Sequence, residues 1–276
     1  MPSAERLWSI AAALHARAQP VRPAELRPLL LAGHTVGWTQ PAVATFLAQH
    51  ASGFFEHHGT LRLQDEALDA PARSALLFEA ALRLRDAGLV SGWRDEQLAI
   101  RDRPGGDVLA TVERAACRAL GIITEAVHLN AYADDGTLVV ARRAPHKPID
   151  PNRWDNLVGG MVPAGETLEQ ALEREAWEEA GLELDRIEVH HGRTFHVRRP
   201  VSEGYQSEFI HVYDATLAPD TSCANQDGEV AAIEHRSLAD VVAAIENEEF
   251  TLEAALATLE SLTRRGAYAT PPGLFE

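Results

Sequence analysis

Cysteine is scarce in this chain: Cys117 and Cys223 are the only two among 276 residues. Without paired spacing they form neither a disulfide framework nor a thiolate zinc site, so a reducing compartment is expected and both thiols read as inert. Long apolar runs are missing as well. The most apolar stretches, such as 138–141 and 238–245, are short or broken by charge, against the roughly 20 residues that span a bilayer. A soluble protein with no membrane partner follows. Residues 7–14 are apolar and Ala16-Arg17-Ala18 mimics a leader cleavage site, but Glu5 spoils the basic start such a leader needs. The segment instead reads as an amphipathic helix beginning near Ser3, with Glu5, Arg6, His15 and Arg17 outward, and the protein is placed in the cytoplasm.

Lysine is nearly absent: Lys147 is the only one among 25 Lys+Arg. Acid is abundant, with 41 Asp+Glu and a formal net charge of -16. Its distribution is uneven, because residues 1–116 carry 12 arginines against 13 acids while residues 117–276 carry 13 cations against 28 acids. A nucleic-acid backbone would be repelled by that second part. The same surplus suits a site that collects divalent cations and meets an anionic substrate through them. A composition of 46% hydrophobic and 24% charged residues excludes disordered and collagen-like classes and fits one or two globular domains.

Up to residue 119 the chain reads as short helices with a few strands. Apolar spacing predicts a helix over 74–87, stopped by Gly88. Residues 97–101 and 108–112 flank Pro104-Gly105-Gly106 as a hairpin. A winged helix-turn-helix over 74–93 is disfavoured, since the region is near-neutral and has no basic recognition face. No catalytic pattern appears there. From Ala126 the texture is strand-rich: 127–132 and 137–141 join through Asp134-Asp135-Gly136, and further strands are expected over 193–197, 208–216 and 230–234. Ser237 and Thr251 cap two late helices, the second ending at Gly266. The division expected is 1–119 and 120–276.

Chemistry concentrates between Gly159 and Leu182. Thr167 with Gln170 makes a capping box and Gly181 a left-handed stop, which predicts a helix over 168–180. Glu175, Glu178 and Glu179 then share one face within about 6 Å of one another. Clustered glutamates usually mark a solvated face. Here Leu168, Ala171 and Leu172 form the apolar stripe, and seven residues on from each stands one of the three glutamates, so the buried stripe runs straight into carboxylates. Like charges facing the interior cost several kcal/mol unless cations compensate them. A hard divalent ion, Mg²⁺ or Mn²⁺, is the natural partner.

Gly160, Glu166 and Arg174-Glu175-Ala176-Trp177-Glu178-Glu179-Ala180-Gly181-Leu182 together resemble the Nudix box of Nudix hydrolases, Ala176 alone being smaller than the usual aliphatic. The resemblance implies an α/β fold, the Nudix α/β/α sandwich, preceded by a smaller, mainly helical α+β domain. It also implies Mg²⁺ (or Mn²⁺) held by Glu175, Glu178, Glu179 and the carbonyl of Gly159 or Gly160, with Arg174 orienting the glutamates. Glu229, in Asp227-Gly228-Glu229-Val230, is similar to the distal acid many relatives supply from a late loop, though a surface turn reads equally well.

Gly92-Trp93-Arg94-Asp95-Glu96, Glu113-Arg114-Ala115-Ala116, Val127-His128-Leu129-Asn130-Ala131-Tyr132 and Trp154-Asp155-Asn156 add a narrower resemblance. It is to a Nudix subgroup with its own N-terminal domain, fused in some eukaryotes to thiamine pyrophosphokinase. The implied substrate is a small organic diphosphate, thiamine diphosphate-like or a damaged analogue, cleaved to monophosphate and phosphate. ADP-ribose-type hydrolysis and a non-catalytic ligand sensor are the alternatives, and isopentenyl diphosphate isomerase is disfavoured for want of its cysteine and histidines. Arg142, Arg143 and Lys147, with His146, form a candidate diphosphate clamp. Trp154 either stacks on the substrate or, slightly favoured, fills the core. The first domain borders the pocket as a candidate recognition element, and a homodimer is left open.

Overall fold

The computed structural model describes residues 2–64 and 66–269. Its first part runs α1 (Ala4–Ala18), β1 (Arg27–Leu31), β2 (His34–Thr39), α2 (Pro41–His50), β3 (Phe54–His57), β4 (Thr60–Leu63), α3 (Ala70–Asp86), β5 (Gln97–Ile100), β6 (Ala110–Glu113) and α4 (Cys117–Leu120). The expected helix begins earlier, at Ala70, because Asp69 accepts from the Ala72 N–H at 2.9 Å and a proline occupies the first turn. The expected hairpin is β5–β6, with Gln97 opposite Glu113. Strands β1 to β4 build a sheet of order β2-β1-β4-β3 that apolar periodicity over such short runs does not reveal. Leu29, Leu61, Leu77, Leu84, Leu98 and Val112 share one core beneath these elements.

The second part runs β7 (Ile123–Ala133), β8 (Leu138–Arg143), β9 (Trp154–Asn156), β10 (Val158–Met161), α5 (Leu168–Ala180), β11 (Val189–Val201), β12 (Gly204–Leu217), β13 (Val230–Arg236), α6 (Leu238–Glu246) and α7 (Leu252–Arg264). Seven strands form one sheet with β7 central: β12 runs parallel along its whole length, β10 pairs with residues 126–129 and β8 with residues 131–132. Side chains alternate between the faces of a strand. Accordingly Val127, Leu129 and Ala131 meet α5 in one core, while Ala126 and Tyr132 enter the core shared with α6 and α7. Helices on both faces make an α/β/α sandwich.

Packing departs from chain order at α1. Ser3 caps it as expected, yet Leu7, Ile10, Ala11 and Leu14 bury themselves among Val241, Ile245, Leu256 and Leu259. The helix therefore packs across the 119/120 division, on the second core. Leu7 is fully buried, so Leu7→Ala should cost about 2–5 kcal/mol through lost transfer energy and an unfilled cavity. Denaturant melts followed by far-UV circular dichroism measure it, and a loss under about 1 kcal/mol, small for a buried leucine, would mean that α1 contributes nothing to that core.

Candidate active site

The box helix α5 forms for local reasons. Gln170 N–H donates to Thr167 Oγ1 at 3.2 Å, Thr167 N–H donates to Gln170 Oε1 at 2.9 Å, and Gly181 ends the helix at φ 65°. Its buried face carries Ala171, Leu172, Glu175, Ala176 and Glu179, so the apolar stripe does lead into carboxylates. Glu178 sits at the edge of that face, its side chain 39% exposed.

Opposite these glutamates lies β10. Gly159 N–H donates to Glu179 Oε2 at 2.8 Å, and a Cβ on Gly160 would overlap the Glu175 carboxylate. Only a glycine lets backbone and carboxylate approach so closely. Arg174 ties the box together: Nη1 donates to Glu175 Oε1 at 2.8 Å and Glu178 Oε2 at 3.0 Å, Nε to both Glu166 oxygens, and Nη2 to the Met161 carbonyl at 3.3 Å. Among the described residues no three acidic, histidine or cysteine side chains already converge as a closed metal cage. Glu175 and Glu178 are bridged by Arg174 instead.

Burial pushes the Glu175 carboxyl above the usual carboxylate range, with Arg174 pulling it back and Glu178 adding repulsion. Glu179 is pushed well up, by burial first and by Glu175 next. Glu229 goes the other way: burial would raise it, but Lys147, Arg94 and Arg114 outweigh burial and hold it low. Its carboxylate receives Lys147 Nζ and, at 3.4 Å, Arg94 Nη1. Both readings of that segment meet here, since Asp227 accepts the Glu229 N–H at 2.8 Å and Gly228 takes φ 84°, a turn that nevertheless aims Glu229 at the site.

A cavity of about 750 Å³ collects these groups, with Glu175, Glu178, Glu229, Arg143 and Lys147 on its wall. The expected substrate contact at Arg142 is corrected, and Trp154 takes the core position of its two readings. Arg142 and Trp154 do not line the cavity. Neighbouring residues on β8 face opposite sides of the sheet: Arg143 donates to Asp155 Oδ2 at 3.0 Å beside the cavity, whereas Arg142 donates to the Asn152 carbonyl at 3.2 Å. Trp154 is a core aromatic, packed with Phe250 and Leu252 under the Arg236 guanidinium. His128, Arg94 and Arg114 do line the cavity, and composition and spacing along the chain assign them no role. Their only signal was the short motifs of the subgroup. Cys117 also borders the cavity, but burial pushes its thiol up and away from thiolate chemistry.

Residues 123–257 match the family described as NUDIX domain, and residues 10–124 match a domain of unknown function, DUF4743. The chain carries a Nudix domain behind a DUF4743 domain. It is 26% identical over 252 residues to Nudix hydrolase 24, chloroplastic, of Arabidopsis thaliana, covering 88% of this chain and 68% of that one. It is 32% identical over 200 residues to an uncharacterized protein of Saccharomyces cerevisiae, covering 66% and 58%. With Nudix hydrolase 20, chloroplastic, of Arabidopsis thaliana it shares 30% over 198 residues, covering 66% and 50%. This chain thus spans 50% to 68% of the length of these three relatives. A crystal structure from Deinococcus radiodurans matches with a TM-score of 0.48 and 27% identity, covering 62% of this chain and 98% of that one.

The raised carboxyls of the Nudix helix have a consequence for stability. A buried acid that binds its proton more tightly in the folded state destabilises the fold as pH rises from its unfolded pKa through its folded one, and the penalty is full above both. Glu179→Gln keeps an acceptor for the Gly159 N–H and removes the charge. In metal-free protein it should raise Tm near pH 7, with the gain shrinking as pH falls and gone by about pH 3, where the glutamate is protonated folded and unfolded alike. Calorimetric scans of chelated protein across that range check it. A Tm difference that does not vary with pH would refute the link.

Proposed function

We propose that this protein hydrolyses small organic diphosphates, X–P–P plus water, in the cavity beside the Nudix helix. One observation carries the reading: two buried carboxylates, Glu175 and Glu179, face the glycine backbone of β10, and Glu175 lines the same cavity as Arg143 and Lys147. That donor set, oxygen-only and short of positive charge, fits Mg²⁺ or Mn²⁺. Glu175, Glu178, Glu179 and the carbonyl of Gly159 or Gly160 would hold the metal. Bound there, it would neutralise diphosphate charge and lower the pKa of an attacking water.

The chain's own residues divide the remaining work. Arg174 holds Glu175 and Glu178 in place through one nitrogen. Lys147 and Arg143 present positive charge to phosphate oxygens. The proton of the attacking water passes to Glu175, Glu178 or Glu229, of which Glu229 is kept ionised by its cations. Residues 1–119, apart from α1 on the second core, act as a recognition domain and 120–276 as the hydrolase.

For the organic group we favour a thiamine type. The short subgroup motifs support it, and so does the acidic second part of the chain, which penalises polyanions more than a diphosphate carrying a cationic ring. Hydrolysis of an ADP-ribose-like nucleotide is the second reading. The test compares kcat/KM for thiamine diphosphate and its oxidised analogues with ADP-ribose, dinucleoside polyphosphates and capped RNA, at one Mg²⁺ and salt concentration. A thiamine-type compound should lead. A lead of about tenfold or more by a nucleotide, roughly 1.4 kcal/mol in transition-state binding, would move the assignment to the second reading, and no turnover of any diphosphate would remove the enzymatic one.

A further inference from the structure

We infer that the DUF4743 domain is part of the active site, with Arg94 and Arg114 binding the diphosphate of the substrate alongside Lys147. The inference rests on the diphosphate reading above and gives the domain a chemical task. Both arginines leave the same end of the β5–β6 hairpin, Arg94 just before β5 and Arg114 just after β6. One buried carboxylate fastens the two segments, because Glu113 Oε1 accepts the N–H groups of Arg94 at 3.0 Å and Ala115 at 3.3 Å. The hairpin is docked on the Nudix domain through the Ala164 N–H, which donates to the Gln97 carbonyl at 2.7 Å. Such anchoring leaves little freedom in where the guanidinium groups can reach.

They reach Glu229. Arg94 Nη1 lies 3.4 Å from Glu229 Oε1 while Lys147 holds Oε2, and Arg114, paired to Glu96 at 2.6 Å, adds its field at both Glu229 and Glu175. Three cations, Arg94, Arg114 and Lys147, therefore gather around Glu229 and Glu96 on one stretch of the cavity wall. An interface fastening would not leave this pattern: the Arg94–Glu229 pair is long and about one-third exposed on each side, a geometry too wet to hold two domains together. A guanidinium fork matches phosphate oxygens better than an ammonium does. An entering diphosphate would take over donors now spent on Glu229, leaving that carboxylate freer to accept a proton.

The test uses the full chain and a diphosphate that cannot be hydrolysed. Methylene diphosphonate is titrated calorimetrically, with Mg²⁺ present, into wild type, Arg94→Gln and Arg114→Lys, and each variant's melting temperature is recorded. Wild type should bind. Arg94→Gln should weaken binding by about tenfold with its melting temperature unchanged, and Arg114→Lys, which keeps charge but loses the fork, by a smaller factor. In turnover the loss should fall on KM rather than kcat. Binding by Arg94→Gln within about twofold of wild type, or no binding by wild type, overturns the inference even if hydrolysis is normal. Conversely, wild type that binds the diphosphonate through Arg94 and hydrolyses nothing would sink the reaction and leave the diphosphate site standing. Should Arg114→Lys fail to fold, the partly exposed Arg94 still decides.

Discussion

Glu178→Gln should lower turnover about a hundredfold at saturating Mg²⁺ while the protein keeps its fold. Glutamine preserves the shape and an acceptor for Arg174 Nη1, now 3.0 Å from Glu178 Oε2, and removes only the charge. Losing one charged metal ligand forfeits about 3 kcal/mol of transition-state stabilisation, which is roughly two powers of ten in rate. The side chain is 39% exposed, so neither burial nor packing changes much and the melting curve without metal should stay close to wild type or rise slightly. Steady-state kcat with circular dichroism on the same sample separates the two effects. Near-wild-type turnover would remove Glu178 from the metal site.

Gly160→Ala should be more damaging than a single methyl suggests. The backbone there is not left-handed, so alanine is conformationally acceptable and the effect is steric alone. The new Cβ would overlap the Glu175 carboxylate. Relief requires either that Glu175 swing away from Arg174 or that β10 retreat from α5, and both dismantle the carboxylate pair. Overpacking of this kind costs about 1–3 kcal/mol of stability. Turnover should fall by about a hundredfold or more, as displaced ligands lose transition-state stabilisation of similar size, and the Mg²⁺ concentration for half-maximal rate should rise. Gly159→Ala is the control: its Cβ would meet His128 and Asp155 at 3.2–3.4 Å, which small side-chain shifts can absorb. If Gly160→Ala and Gly159→Ala lose activity equally, the close approach to Glu175 is not what matters.

Residues near one another in the chain carried most of what could be read from it. The capping box at Thr167, the stop at Gly181, the stripe leading into Glu175 and Glu179 and the caps at Ser3, Ser237 and Thr251 all rest on contacts within a few residues, and each stands in the structure. Strand ends were less legible. The strand expected over 193–197 extends over Val189–Val201, through Arg198, Arg199 and Pro200, which have no strand pattern of their own. Pairing with β12 holds them extended, and an edge strand tolerates a proline with no N–H to give.

The site shows the same divide. Arg142, Arg143 and Lys147 looked equivalent as a cationic loop, but once β8 continues to Arg143 adjacent side chains must point to opposite faces, and only Arg143 and Lys147 line the cavity. Nothing local to Leu7 says that α1 will cover the core of α7, and nothing local to Arg94 or Arg114 says that Arg94 will meet Glu229 or that both will line the cavity with Glu175. Those placements follow from burying the faces that each element leaves apolar, which is a property of the whole chain. The sequence by itself determined the box helix, its carboxylates and the glycines that face them, because hydrogen bonding and helical periodicity act over a few residues. Only the tertiary structure decided which cations surround those carboxylates, because side chains from segments distant in the chain meet there once the two domains pack.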